Sequence, residues 1–90
     1  MKLIIQIPCF NEEETLATTL SCLPRELKGL DSVEWLIIDD GSTDNTIRVA
    51  QENRVDHVLP LPGHMGLARA FTAGLEACRN LGADVIVNTD

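Results

Sequence analysis

Trp35-Leu36-Ile37-Ile38-Asp39-Asp40-Gly41-Ser42-Thr43-Asp44 decides the fold. Its apolar half reads as a strand over residues 34–39. The run is continuous rather than alternating, which suits a strand covered on both faces and so a parallel sheet. Its polar half is a turn into a helix. Gly41 permits a positive φ for the tight bend. Ser42 or Thr43 opens the helix, with Asp44 in its first turn, and Ile47, Val49 and Ala50 form its buried face. Two adjacent carboxylates at a strand end repel each other and lose hydration, so stability alone does not account for them.

Outward from this stretch the pattern repeats. Residues 2–8 form another buried strand, carried by Leu3, Ile4, Ile5 and Ile7 and ended by Pro8. Residues 55–59 and 84–88 are two more, the last with Val85, Ile86 and Val87. Between them lie helical patterns. Asn11 with Glu14 three residues on makes a capping box, and Glu12 and Glu13 fall in the first turn. Leu16, Leu20 and Leu23 give that helix one apolar face, and Pro24 and Gly29 end it. The third helix starts near residues 65–66, runs through Leu67, Ala70, Phe71, Gly74, Leu75 and Cys78, and stops at Gly82. The order β-α-β-α-β-α-β predicts an α/β fold: an open, doubly wound, mainly parallel sheet of four strands with three helices. Ligands of such sheets bind outside the carboxyl ends of the strands. That rule selects residues 8–12, 39–43, 60–69 and 88–90.

Bulk properties narrow the function. Ninety residues make one small domain, which buries roughly 60–65% of its unfolded surface. With 44% apolar and 23% charged residues the composition is that of a soluble globular protein. No apolar run approaches the roughly 18 residues that span a bilayer. Met1-Lys2 leads straight into a strand, so no signal peptide is expected and the cytoplasm is the expected compartment. The net charge of −7 argues against sequence-independent nucleic-acid binding, which needs clustered Lys and Arg. An acidic protein that binds a diphosphate usually needs a divalent cation between them. Cys9, Cys22 and Cys78 are odd in number, lack a C-x-x-C spacing and read as small apolar residues in a reducing compartment.

The candidate site residues follow from the strand ends. Asp39 and Asp44 are suited to accept turn and cap N–H groups. Asp40 is suited to accept a hydrogen bond from the imino N–H of a base such as uracil or guanine. Phe10 is either a staple packed on the first helix or one wall of a base pocket, and Glu12 could reach a ribose hydroxyl. Gly63 and Gly66 open the third helix, whose N-terminus attracts phosphate, and Arg69 on its first turns offers a planar, bidentate donor set. This is neither the G-x-G-x-x-G fingerprint nor a P-loop, since no Gly-Lys-Ser/Thr follows. His57 reads as an exposed residue, and two isolated histidines do not make a zinc site. Asp90 ends the fourth strand beside the strand that carries Phe10, where a hard cation would meet a carboxylate and substrate phosphates.

Four blocks, in order and spacing, resemble the start of family 2 glycosyltransferases: Pro8-Cys9-Phe10-Asn11-Glu12-Glu13, Ile38-Asp39-Asp40-Gly41-Ser42-Thr43-Asp44, Gly66-Leu67-Ala68-Arg69-Ala70 and Val87-Asn88-Thr89-Asp90. The nearest branch resembles dolichyl- and polyprenyl-phosphate sugar synthases. The resemblance covers residues 1–90 as the nucleotide-sugar-binding part of a GT-A domain. It implies a UDP- or GDP-linked sugar donor and metal-dependent transfer with inversion to an acceptor such as a polyprenyl phosphate. It implies base and ribose contacts at Pro8, Phe10, Glu12 and Asp40, with Arg69 near the nucleotide. Asp90 would be the first acid of an Asp-x-Asp motif holding Mg²⁺ or Mn²⁺ on the diphosphate. Phe10 stands where many relatives have Tyr, so no phenol hydroxyl is offered there. The second acid, the acceptor-binding half and any general base lie beyond residue 90, so these ninety residues alone are expected to transfer no sugar. They would also leave the fourth strand without its neighbour, an apolar edge open to self-association. A full-length protein could work at the cytoplasmic face of a membrane. The alternative reading is a non-catalytic nucleotide-binding or interaction module. A nucleotidyltransferase would need a basic, Gly-rich loop where residues 8–14 are acidic, and a phosphoacceptor receiver domain would need a lysine at a late strand end.

Overall fold

The computed structural model describes residues 1–89. Its elements are β1 (Lys2–Cys9), α1 (Leu16–Ser21), β2 (Ser32–Asp39), α2 (Thr46–Glu52), β3 (His57–Pro60), α3 (Leu67–Asn80) and β4 (Val85–Asn88). The strands form one sheet in the order β3-β2-β1-β4, every pair parallel. This is the α/β, doubly wound arrangement expected from the strand-helix alternation.

Strand periodicity divides the core in two. Leu3, Ile5, Ile7 and Cys9 of β1 and Val33, Trp35 and Ile37 of β2 face one side, against Leu16, Leu20 and Ala50 of α1 and α2. Ile4, Leu36 and Ile38 face the other, against Ala70 and Cys78 of α3. Each central strand is therefore apolar on both faces, which is why its sequence does not alternate. The buried stripe of α3 is Ala70, Gly74 and Cys78, all small, so the helix lies close on the sheet. A Cβ at Gly74 would collide with the Gln6 side chain and Ile38. Gln6 itself is fully buried, and its Nε2 donates to Asn88 Oδ1 at 3.0 Å. Phe71 and Leu67, also on α3, are exposed.

Two boundaries differ from expectation for identifiable reasons. Pro8 does not end β1, which runs on to Cys9. Even residues of β1 turn their main-chain groups toward β4, as in Thr89 N–H to Gln6 O at 3.1 Å. That ladder stops at Gln6, and Pro8, which lacks an N–H, adds no further rung to it while still pairing with Ile38 of β2. The capping box also fails to form. Asn11 sits at φ 50°, α1 begins only at Leu16 after Thr15, and no side chain caps it. Likewise α2 opens after Asn45 rather than at Ser42 or Thr43. The would-be caps are spent on each other, as the site shows.

The thiols give a direct check on this packing. Cys9 is buried, and loss of hydration, with the charges of Glu12, Asp39 and Asp44 nearby, pushes its thiol up to about 12. Burial also raises the Cys78 thiol, whereas Cys22 is exposed. Only the thiolate reacts. A disulfide-exchange titration of the native protein is expected to show one fast thiol, with the other two reacting only on unfolding. Two fast thiols would show that one face of the sheet is open.

Candidate functional site

The strand-end loops are tied together by side-chain to main-chain hydrogen bonds. Asn11 N–H donates to Ser42 Oγ at 2.9 Å, and Thr43 N–H donates to Asn11 Oδ1 at 2.8 Å. Glu12 N–H donates to Thr46 Oγ1 at 2.8 Å. The Asp44 carboxylate accepts from Glu13 N–H at 3.2 Å, from Thr46 N–H at 3.0 Å and from the Thr46 hydroxyl. Lost hydration works against the charge on Asp44, but these bonds outweigh it and hold its carboxyl below the ordinary range. Asp39 accepts the turn N–H of Ser42 at 3.3 Å. Asp39 and Asp44 thus take the turn and cap duties expected of them, while Asn11 clamps a distant loop instead of capping its own helix.

Asp40 works across to the third loop. It is only 5% exposed. Its Oδ1 accepts Met65 N–H at 2.7 Å and its Oδ2 accepts Gly66 N–H at 3.0 Å. His64 Nδ1 hydrogen-bonds the main-chain oxygen of Asp40 at 3.3 Å and lies 3.0 Å from its Oδ2. The His64 ring in turn packs on Phe10, with centroids 4.1 Å apart and planes inclined by 40°. Gly41, at φ 80°, lets the β2 loop pass against the main chain of Gly63 and His64.

These residues border a mainly apolar cleft of about 280 Å³, lined by Pro8, Cys9, Phe10, Glu12, Asp40, His64, Leu67 and Ala70. It opens at the carboxyl ends of β1 and β2, where a doubly wound sheet binds its ligand. Four of the expected site residues, Pro8, Phe10, Glu12 and Asp40, therefore meet in one cleft. Arg69 does not line it and is exposed on the first turn of α3. Asp90 lies outside the described residues. His64, Leu67, Ala70 and Cys9 complete the lining; the last three lie within the sequence blocks quoted above, and the signal at His64 is a polar ring between two loop glycines. His57 is not a simple exposed residue: its Nε2 lies 2.7 Å from Glu34 Oε1 in a half-buried pair. A larger concavity of about 550 Å³ is lined by residues 25–33, at the amino end of β2 and away from the strand-end acids. Among the described residues no three His, Cys, Asp or Glu side chains group to hold a metal ion, and no helix is long and apolar enough to cross a membrane.

Residues 4–90 match the model of a protein family described as glycosyl transferase family 2. The chain belongs to that family. Among curated relatives of the family-2 chain, an undecaprenyl-phosphate mannosyltransferase of Micrococcus luteus is 35% identical over a 95-residue alignment that takes in 100% of the chain and 37% of the relative. An uncharacterized glycosyltransferase of Mycobacterium tuberculosis is 34% identical over 74 residues, 76% of the chain and 31% of the relative. A poly-beta-1,6-N-acetyl-D-glucosamine synthase of Staphylococcus epidermidis is 33% identical over 92 residues, 93% of the chain and 22% of the relative. The chain thus spans about a third or less of the curated relatives it matches. The solved structure of Staphylococcus aureus TarS, residues 1–349, superposes with a TM-score of 0.72 at 21% identity, covering 100% of the chain and 27% of that 1–349 chain. That likeness shows the fold, the Rossmann-like half of a GT-A domain.

Proposed function

We propose that this family 2 chain is the donor-binding segment of an inverting glycosyltransferase and that the cleft between β1, β2 and α3 takes the base of a UDP- or GDP-linked sugar. The observation that carries the reading is the meeting of Phe10 and Asp40 at one strand-end cleft: an exposed aromatic face beside a buried carboxylate. An aromatic face stacks on any base, whereas a carboxylate accepts only from a ring that offers an N–H. Asp40 keeps that capacity while holding its loop, because an ionised carboxylate has about four lone-pair sites. Pro8 forms the floor and Glu12 the ribose end. Arg69 stands outside the lining and would act on the phosphates rather than the base. Mg²⁺ or Mn²⁺, held in part by Asp90, would neutralise charge on the leaving diphosphate.

The acceptor in this reading is a polyprenyl phosphate, in line with the Micrococcus luteus relative's name, and transfer would take place at the cytoplasmic face of a membrane. The acceptor site and general base would lie outside these residues, leaving them inactive alone. Self-association would run through the β4 edge, where Val87 is exposed. Calorimetry with UDP, GDP and GDP-mannose, each with and without Mn²⁺, tests the donor site. Binding of at least one nucleotide, strengthened by Mn²⁺, is expected. Silence from all of them at millimolar concentration, with and without the ion, would return the chain to the interaction-module reading.

A further inference from the structure

Resting on the donor-site reading, we infer that His64 occupies the base position of the cleft and must swing out before a nucleotide can bind. A base in this cleft needs two things: a planar ring against Phe10 and an N–H aimed at Asp40. The His64 imidazole already supplies both. Its ring centroid is 4.1 Å from that of Phe10. Its Nδ1 faces two acceptors, Asp40 O at 3.3 Å and Asp40 Oδ2 at 3.0 Å, so that nitrogen carries the ring hydrogen. A base cannot slip between two rings already in contact, since stacking on both would need close to twice their present spacing. It therefore has to replace one of them. Phe10 follows directly on β1, whereas His64 belongs to the Gly63–Gly66 loop and its side chain is 57% exposed. His64 is the ring that yields. Met65 and Gly66 stay anchored to Asp40 while it moves, because their main-chain donors do not depend on the imidazole.

The ring is thus an internal competitor that lowers the affinity of every base by the same factor, while Asp40 supplies the discrimination between bases. A nucleotide whose base presents an N–H regains the Asp40 contact on displacing His64; one without it does not. Removing the competitor should raise affinity by the fraction of molecules it had blocked, roughly three- to tenfold for an aromatic pair of this kind. His64→Ala should bind UDP or GDP that much more tightly than the parent protein, and cytidine nucleotides should gain by the same factor, so that the ratio between uridine and cytidine stays unchanged. In the parent protein, the His64 ring resonances should lose their Phe10 ring-current shift as UDP is added. His64→Asn is the second variant, and far-UV circular dichroism checks that both remain folded. If the parent binds UDP while both variants bind it equally or more weakly, His64 supports the site rather than blocking it and the inference is overturned. If neither the parent nor the variants bind any nucleotide, the donor-site reading itself fails. If UDP binds and the His64 resonances do not move, the inference fails alone.

Discussion

Gly41→Ala is expected to cost roughly 3 kcal/mol of stability, the sum of a left-handed backbone strain of about 1–2 kcal/mol and an overpacking term of similar size. Gly41 has φ 80°, and a Cβ there would stand 2.5 Å from Gly63 C and 2.5 Å from His64 N. Both are main-chain atoms, so no side chain can rotate away and the two loops must part. The stability of a small domain is of order 5–10 kcal/mol, so this is a large fraction of it. A urea melt should show the midpoint falling by about 2 M. Gly82→Ala is the matched control. It has φ 81° and nothing within 4 Å of the added carbon, so it carries the backbone strain without the collision. Equal losses in the two variants would mean that the approach of the β2 loop to the Gly63–Gly66 loop is not close. A larger loss at Gly41, together with weakened nucleotide binding, is the expected pattern.

That contact marks the limit of what the sequence discloses. The sheet was legible because each central strand is an unbroken apolar run and the intervening patterns have helical period. The parallel order follows once those two facts are combined. The cleft was legible in part, since the rule of strand carboxyl ends selects Pro8, Phe10, Glu12 and Asp40 without any coordinates. What stayed hidden are the partners. Asn11 followed by Glu14 satisfies every local rule for a capping box. Its side chain nevertheless serves Thr43, a residue 32 positions away, and the helix starts four residues late. A local rule weighs only local acceptors, and here a main-chain donor from another loop won. Asp40 has the same character: its anchors lie 25 and 26 residues on. The packing face of α3 is hidden for a different reason. The helical pattern runs through large and small residues alike, but the fully buried Gln6 and the close sheet admit only small ones at the contact, so Ala70, Gly74 and Cys78 take it.

Asp40→Asn tests whether one carboxylate serves both the loop and the base. Its two oxygens accept from Met65 N–H at 2.7 Å and Gly66 N–H at 3.0 Å. An asparagine offers one oxygen and one NH₂ group, so one of those main-chain donors would face another donor. A part-buried donor left without an acceptor costs about 1–3 kcal/mol, and amide exchange at Met65 or Gly66 should accelerate accordingly. The base loses at the same atom: an imino N–H can no longer find a free carboxylate lone pair. Affinity for UDP should fall at least about tenfold, the equivalent of 1.4 kcal/mol. Pyrophosphate with Mn²⁺ makes no use of a base, so its affinity should stay within about twofold of the parent's, well inside that 1.4 kcal/mol. This contrast separates the two duties of Asp40. Faster amide exchange with unchanged UDP binding would confine Asp40 to holding the loop and leave the base to Phe10 and Pro8. Equal losses for UDP and pyrophosphate would mean that the variant has simply opened the cleft. Loss for UDP alone, with Met65 and Gly66 exchanging faster, is what a shared carboxylate requires.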